Sequence, residues 1–472
     1  MSGPATPAAR AEFTLAEVLE ATGGEIAGLG HTTRFAGVTT DSRRLAAGEL
    51  FVAIRGDRHD GHAFVPEAAA RGAGAVVVER HALDALPSCG TIVVRDTLAA
   101  LGDLAAFHRR RLRPQVLAVT GSNGKTTTKE MLAAIVESAL GREHMLHTIG
   151  SQNNLVGLPM TLLRVAPANR MVVLELGMNG PGEIWRLAEI AEPDVGVITC
   201  MAPEHLEGLK SMHGVAEANT ELYRRLKPSA TAVFNADDPR VTTAAAVFPG
   251  RKLSFGTAGR PAVGAADITD QGLDGTEFRL VVDGRAIGVR LAIPGRHNVH
   301  NALAAAATAW AVGIPLEAVK DGLERFQPPG MRMEVVQLRS GVTVLNDAYN
   351  ANPASMAAAL RTLAASRGRR RIAALGEMRE LGDEAVRAHR ELGAVAAEAA
   401  LDALFLIGPL AGEVRAGAEE RGMPPARIVV ASTRTDLAAR VRADLRPGDL
   451  LLVKGSRGAA MEEVVRQLAA ES

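Results

Sequence analysis

QVLAVTGSNGKTTTKEMLAAIVESAL, residues 115–140, joins a short apolar run rich in β-formers to an amphipathic helix through a loop bearing two glycines and a lysine. Strand, glycine loop and helix together form the setting in which backbone N–H groups cradle an anion, helped by the helix dipole. The common phosphate loop, G-x-x-x-x-G-K-[ST], carries a glycine six residues before its lysine. Here Val119 holds that place, and Gly121, four residues before Lys125, comes first. The stretch is therefore either a shortened phosphate loop or a strand-to-helix turn with a surface lysine. In the first case Lys125 reaches the outer phosphates and Thr126 holds Mg²⁺.

The neighbouring segments favour the phosphate loop. RMVVLELG (170–177) and DVGVITC (194–200) are buried-type strands, each followed by helical sequence. That alternation argues a parallel sheet wrapped by helices, whose ligands lie outside the carboxyl ends of the strands. Glu175 closes the first of these strands, where a carboxylate is costly unless it is paired or bound to a metal. It reads as a Mg²⁺ ligand, with a surface ion pair as the alternative. His205 follows the next strand end, on the same edge. RFQPPGMRME (325–334) breaks the rhythm with two prolines and a glycine and reads as a linker. A second doubly wound unit follows, with strands VTVLND, RIAALG, ALFLIG, RIVVA and DLLLVKG. In LNDAYNANPASM (345–356), Asn352 and Pro353 are ordinary helix-start residues, whereas Asp347, Tyr349 and Asn350 together point to a ligand. VKGSRG brings Lys454, Ser456 and Arg457 to another strand end, so one ligand could lie between the two units. Earlier in the chain, GVTTDSR (37–43), LFVAI (50–54), AGAVVVE (73–79) and TIVVRD (91–96) read as strands. The fold class is α/β in three domains. Residues 1–112 form a mixed α/β domain, 113–328 a central parallel-sheet phosphate-loop domain, and 329–472 a doubly wound, dinucleotide-type domain.

Composition excludes several classes. A chain of 472 residues exceeds one core. Its formal net charge is zero, which implies no bulk attraction to nucleic acid or to a membrane. HRRRLRP (108–114) and RGRRR (367–371) are basic but lack interleaved aromatics, and read as solvated surface. Cys89 and Cys200 give neither a disulfide framework nor zinc spacing, which suits a reducing compartment. MSGPATPAAR lacks the pattern of a signal peptide. The most apolar long run, NALAAAATAWAVGIPL (301–316), is Ala-rich and too short to span a bilayer. A cytoplasmic location without membrane insertion is expected. Only seven of the 53 basic residues are lysines, which makes each lysine conspicuous.

The motifs then fall into a known order. GVTTDSRRLAAGELFVAIRGDRHDGHAF precedes TGSNGKTTTKE. After it come SQNNLVGLPMTLLR, ELGMNGPGEI, HLEGLKSMHGVAEAN, PGRHNVHNALAA, GMRMEV, DAYNANPASM, ALGEMRELG and VKGSRG. Nearly end to end, the chain resembles the Mur ligase family, whose ATP loop has the same shortened form. ELGMNGPGEI and DAYNANPASM resemble the branch that adds D-alanyl-D-alanine. The resemblance implies a domain for a UDP-linked substrate, an ATPase domain, and a third domain that closes over ATP. It implies ATP and Mg²⁺ as cofactors, and UDP-N-acetylmuramoyl-tripeptide and D-alanyl-D-alanine as substrates. The activity implied is amide ligation through an acyl phosphate in peptidoglycan precursor synthesis, by a monomer. Residue by residue, it implies that Gly121, Ser122, Asn123, Gly124, Lys125, Thr126 and Thr127 cradle ATP. Thr126 and Glu175 would hold one Mg²⁺, with His205 near a second. Lys125, Glu175 and His205 are thereby the expected catalytic set. Asn298 would read the adenine, Arg332 would reach the nucleotide from the linker, and Asp347, Tyr349 and Asn350 would close from the last domain. Asn153 and Asn154 would flank the substrate, and Ser42 and Arg55 would lie in the segment holding the uridine diphosphate.

Three rivals stand beside this reading. A GTPase needs an N-K-x-D guanine reader, and no N-K dipeptide occurs. A folylpolyglutamate synthase would lack the domain before residue 112. An inactive scaffold is disfavoured because Lys125, Glu175 and His205 are all present. One position departs from the family pattern. Asn219 in GVAEANTEL stands where the family has a lysine carbamylated by CO₂. With Val215, Leu222 and Leu226 it forms an inward-facing helical stripe, so it needs a partner. That partner is either neighbouring backbone or a metal or its water. The departure implies an enzyme that does not depend on CO₂.

Overall fold

The computed structural model describes residues 11–28, 30–56, 59–80, 82 and 85–470. The N-terminal MSGPATPAAR segment lies outside them. The backbone is organised by three sheets in chain order, with a two-stranded pair (Phe13–Thr14 with Arg34–Phe35) at the start.

The first sheet has five strands in the order Glu25–Gly28, Gly90–Val94, Ala75–Glu79, Leu50–Val52 and Val38–Thr39. The four expected strands are all present, and GVTTDSR shortens to two residues before a 3-10 turn at Ser42–Arg44. A 16-residue helix, Thr97–Leu112, then leads into the central sheet. Its cluster HRRRLRP is not simply solvated surface. Arg109 is buried and donates from Nε to Ala191 O (3.0 Å) and from Nη2 to Glu192 O (2.8 Å). Buried arginine is tolerated because its fork meets the free carbonyls at a helix C-terminus.

The central sheet has nine strands. Six run parallel: Arg251–Gly256, Thr231–Asn235, Val195–Ile198, Gln115–Thr120, Met171–Glu175 and Met145–His147. Val263–Asp270 joins them in parallel and pairs antiparallel with Thr276–Val282, which pairs antiparallel with Arg285–Leu291. This meander was not anticipated, because Thr276–Val282 alternates buried and exposed residues and the two strands beside it are largely half-buried or exposed, so none forms a continuous apolar run. The six-stranded last sheet runs Glu334–Gln337, Thr343–Asp347, Leu450–Lys454, Arg371–Leu375, Ala403–Ile407 and Ile428–Ala431, parallel except for its first strand. Apolar residues of the central sheet, the helix Lys125–Leu140 and the last sheet's inner helices form one continuous buried cluster. Carboxyl ends of strands from both sheets line one cleft: Glu175 and Asn235 from the central sheet, Asp347 and Lys454 from the last. Among the described residues no helix is long and apolar enough to cross a membrane.

Candidate active site

The glycine loop is held in one shape by its neighbours. Gly121 has φ +127°, and a Cβ there would lie 2.2 Å from Thr199 Oγ1. Gly124 has φ +83°, and a Cβ would lie 2.1 Å from Asn301 Oδ1. Both positions need glycine for backbone angle and for space. The segment after Val195–Ile198 braces the loop. Thr199 Oγ1 donates to Asn123 O (2.6 Å), Ser122 N donates to Cys200 O (2.8 Å), and Ala202 N donates to Ser122 Oγ (2.9 Å). Gly124 starts the helix Lys125–Leu140, and no side chain among the described residues caps it. Its first-turn N–H groups therefore remain available to an anion. Lys125 Nζ folds back to Gly121 O (2.6 Å) and lies 3.5 Å from Glu204 Oε2.

The loop opens onto a cleft of about 640 Å³ lined by both the central and the last domain. Two buried carboxylates face it incompletely bonded. Glu175 accepts from Asn153 Nδ2 (2.8 Å) through Oε1, and its Oε2 has no partner among the described residues. Glu204 Oε1 likewise has none. An unsatisfied buried polar atom costs roughly 1–3 kcal/mol, more when charged, so two in one cleft mark a place for a cation. Burial pushes the Glu204 carboxyl above its usual range, against the pull of Lys125 and His205. The Glu175 backbone is fixed by Thr148 Oγ1, which accepts from Glu175 N (3.1 Å). Thr148 O in turn accepts from Lys129 Nζ (2.8 Å), a fully buried lysine that also pairs with Glu130.

His205 lies beside Glu204, with Nε2 3.8 Å from Glu204 Oε2. Its Nδ1 meets the carboxylate of Glu380, from the last domain. That contact holds the Glu380 carboxyl below the usual range even though burial opposes it. His205 (φ +50°) and Glu380 (φ +64°) both sit in the left-handed region. For residues other than glycine this costs on the order of 1–2 kcal/mol each.

The last domain supplies the opposite wall. Asp347 and Lys454 end adjacent parallel strands in register, and Lys454 Nζ donates to Asp347 Oδ2 (2.6 Å) and Asn350 O (2.9 Å). Arg332 stacks over Tyr349, 4.1 Å from guanidinium carbon to ring centroid, and donates to Thr126 Oγ1 (2.8 Å). Asn352 caps the helix Pro353–Ala365 through Oδ1, as its sequence suggests, and its Nδ2 donates to Asn123 Oδ1 (2.9 Å). The last domain thus touches the glycine loop twice.

The expected nucleotide residues converge here. Ser122 to Thr127, Asn298, Arg332, Asp347, Tyr349 and Asn350 line the cleft, together with Glu175, His205, Asn153 and Asn154. Gly121 lies behind it, against Thr199. Asn298 is buried, donates to Pro294 O (2.8 Å) and accepts from Asn301 Nδ2 (2.9 Å). Asn154 Oδ1 accepts from Gly157 N (2.8 Å) at the start of the next helix. Ser42 and Arg55 are not among the cleft residues. Ser42 is buried and donates to Glu67 Oε2 (2.8 Å), while Arg55 pairs with Asp60 (3.1 Å) and is exposed. Asn219 lies on the expected buried stripe. Its Nδ2 donates to Val215 O (2.9 Å) and its Oδ1 meets the Thr120 hydroxyl at 3.5 Å. Its partners are backbone and a strand-end threonine, not the cleft.

Sequence reasoning missed Glu204, Lys129, the bridging role of Asn352, and Glu380. Glu204 adjoins His205, and Lys129 is one of only seven lysines, so both carried a signal. Nothing in the local pattern of ALGEMRELG marks Glu380.

Comparison with known proteins agrees with this geometry. Residues 34–109 match a model described as Mur ligase family, catalytic domain; 119–309 match the Mur ligase middle domain; 331–457 match the Mur ligase, glutamate ligase domain. The chain is 38% identical to UDP-N-acetylmuramoyl-tripeptide--D-alanyl-D-alanine ligase of Escherichia coli, over 96% of this chain and 98% of that one. It superposes on a crystal structure of MurF from Acinetobacter baumannii with a TM-score of 0.89, at 32% identity, covering 98% and 100% of the two chains. It also superposes on a MurF ligase from Thermotoga maritima in complex with ADP, with a TM-score of 0.80 at 26% identity, covering 92% and 97%.

Proposed function

The chain belongs to the Mur ligase family, and from that premise we propose that it joins D-alanyl-D-alanine to UDP-N-acetylmuramoyl-tripeptide, forming ADP and phosphate in peptidoglycan precursor synthesis. It acts in the cytoplasm as a monomer. The observation that carries the reading is the cleft: an uncapped, glycine-shaped loop faces the polar strand ends of a second α/β unit, and a separate five-stranded sheet precedes both in the chain. The three sheets support a division into a UDP-substrate domain (1–112), an ATP domain (113–328) and a closing domain (329–472).

The tripeptide's terminal carboxylate attacks the γ-phosphorus of ATP, the bond to the bridging oxygen breaks, and ADP departs. A carboxylate is a poor electrophile, and the acyl phosphate gives its carbon a leaving group. The amine of D-alanyl-D-alanine then attacks that carbon, loses a proton, and phosphate leaves through a tetrahedral intermediate. The protein's work in this chemistry is positioning and charge neutralisation. The amides of Gly121 to Thr127 hold the phosphates, and Lys125 exchanges its contacts with the loop carbonyls for the outer phosphates. Thr126 and Glu175, with its unpartnered oxygen, would hold Mg²⁺; Glu204 and His205 suit a second ion. Among the described residues no three His, Cys, Asp or Glu converge as a closed cage. Mg²⁺ would supply neutralisation of the phosphoryl oxygens. Asn298 reads the adenine, Arg332 and Tyr349 cover the nucleotide, and Asp347 and Asn350 close from the last domain with Lys454. Asn153 and Asn154 flank the UDP-linked peptide, and Ser42 and Arg55 lie in the domain that takes its uridine diphosphate.

Phosphate release by the purified protein tests the proposal. ATP, D-alanyl-D-alanine and a UDP-muramoyl-tripeptide, ending in either diaminopimelate or lysine, are supplied together and with each omitted in turn. Release that needs all three is expected. Release indifferent to D-alanyl-D-alanine would overturn it.

A further inference from the structure

The segment 376–382 belongs to the last domain, yet it reaches the central domain's site. Its root is rigid. Met378 N donates to His389 Nε2 (3.0 Å), Arg379 N donates to Ser456 Oγ (2.8 Å), Ser456 N donates to Glu377 O (2.9 Å), and Leu381 is buried. From this base Glu380 makes two contacts with the segment after Val195–Ile198. Its carboxylate meets His205 Nδ1, and its carbonyl oxygen accepts from Glu207 N (3.3 Å). Both Glu380 and His205 hold left-handed backbone angles where they meet. Strain of that kind persists only where the surroundings over-determine it, and it clusters at functional sites. Beyond His205 the contacts continue to Glu204 (3.8 Å from Nε2) and from Glu204 to Lys125 (3.5 Å).

We propose that Glu380 is a positioning residue that acts through His205: seating the last domain turns the His205 Nδ1–H toward Glu380 and leaves the Nε2 lone pair aimed at the cleft. The proposal rests on the reading of His205 as a residue of the cation site. A histidine that serves a metal ordinarily donates its other nitrogen to a carboxylate, which fixes tautomer and ring direction. Here that carboxylate comes from a different domain, so domain closure and readiness of the cation site are one event. A surface clasp between domains would give a different result, because an exposed ion pair contributes little and does not select a tautomer.

The experiment compares wild type, Glu380→Ala, Glu380→Gln, His205→Ala and the double variant His205→Ala/Glu380→Ala. Binding of an N-methylanthraniloyl ATP is followed as a function of Mg²⁺ concentration, without turnover. Histidine ¹⁵N shifts of the nucleotide-bound protein report the His205 tautomer, and steady-state kinetics are run with the proposed substrates. Glu380→Ala is expected to raise the Mg²⁺ midpoint and lower kcat by about 10–100-fold, with the KM of the UDP-linked substrate unchanged. It is also expected to mix the His205 tautomers. Glu380→Gln, whose amide oxygen still accepts from Nδ1–H, retains most of the wild-type behaviour. In the His205→Ala background the Glu380 substitution adds nothing. An unchanged tautomer and Mg²⁺ midpoint in Glu380→Ala, or an effect that adds in full to that of His205→Ala, would overturn the proposal. The binding and spectroscopic readouts need no turnover, so they decide it by the same criteria even if wild type rejects the proposed substrates.

Discussion

Glu175 is a carboxylate that the fold buries with one oxygen bonded to Asn153 and the other left over. Its meaning comes from company: Lys125, Thr126 and Glu204 share the cleft, and each is explained better by a ligand than by packing. Lys125 decides whether that ligand is a phosphate. Lys125→Ala is expected to leave the melting transition intact and to lower kcat/KM by on the order of 10²-fold or more, because a preorganised charge at a transferring phosphoryl group is lost. Unchanged turnover at saturating ATP would remove the phosphate-loop assignment. Asn219 carries the second prediction at this scale. Its amide is bonded to Val215 O and no lysine occupies the position, so activity in degassed buffer is expected to be the same with and without added bicarbonate. Rescue by bicarbonate would contradict this expectation. Residues at or after strand ends could be placed from sequence because a strand followed by a polar cluster fixes the sheet edge; Glu175 and Asp347 end strands, His205 follows one, and all three line the cleft. Glu380 could not be, because its role depends on a partner 175 positions away that only tertiary structure supplies.

At the scale of elements, the loop and its helix form one unit whose shape is set from outside. Gly121→Ala places a methyl against Thr199 Oγ1 at a backbone angle that alanine avoids. A loss of roughly 1–3 kcal/mol is expected, read as a lower melting temperature together with a weaker nucleotide-induced rise in it. A variant as stable as wild type, with the same nucleotide response, would mean that the loop is less constrained than its contacts with Thr199 and Cys200 imply. Alternating strands such as Gln115–Thr120 and Met171–Glu175 were legible because nearly every residue is buried and each reads as a continuous apolar run, whereas Met145–His147, Thr231–Asn235 and Arg251–Gly256 were not read from sequence. The meander of Val263–Asp270, Thr276–Val282 and Arg285–Leu291 was not, since an antiparallel extension with one wet face has a weaker pattern. The helix Thr97–Leu112 escaped because three consecutive arginines, Arg109 to Arg111, mask its apolar face.

At the scale of the whole molecule, the last domain meets the glycine loop through Arg332–Thr126 and Asn352–Asn123, and meets His205 through Glu380. Domain order followed from the linker prolines and the restart of the α/β rhythm. The contacts across the cleft did not, because they join residues up to 229 positions apart. If these contacts are the closed arrangement, Arg332→Ala should raise the KM for ATP by about 10-fold, the worth of one charge-assisted hydrogen bond. It should also enlarge the radius of gyration of the nucleotide-bound protein measured by small-angle scattering; an unchanged radius and KM would separate closure from nucleotide binding. The central claim is that a carboxylate is activated by phosphate in this cleft. It is tested most directly with a UDP-muramoyl-tripeptide whose terminal carboxylate is labelled with ¹⁸O, turned over with ATP and D-alanyl-D-alanine, and the released phosphate examined by mass spectrometry. The account predicts that one labelled oxygen passes from the carboxylate into each phosphate, with ADP as the nucleotide product. Unlabelled phosphate, or AMP with labelled pyrophosphate or AMP, would contradict it.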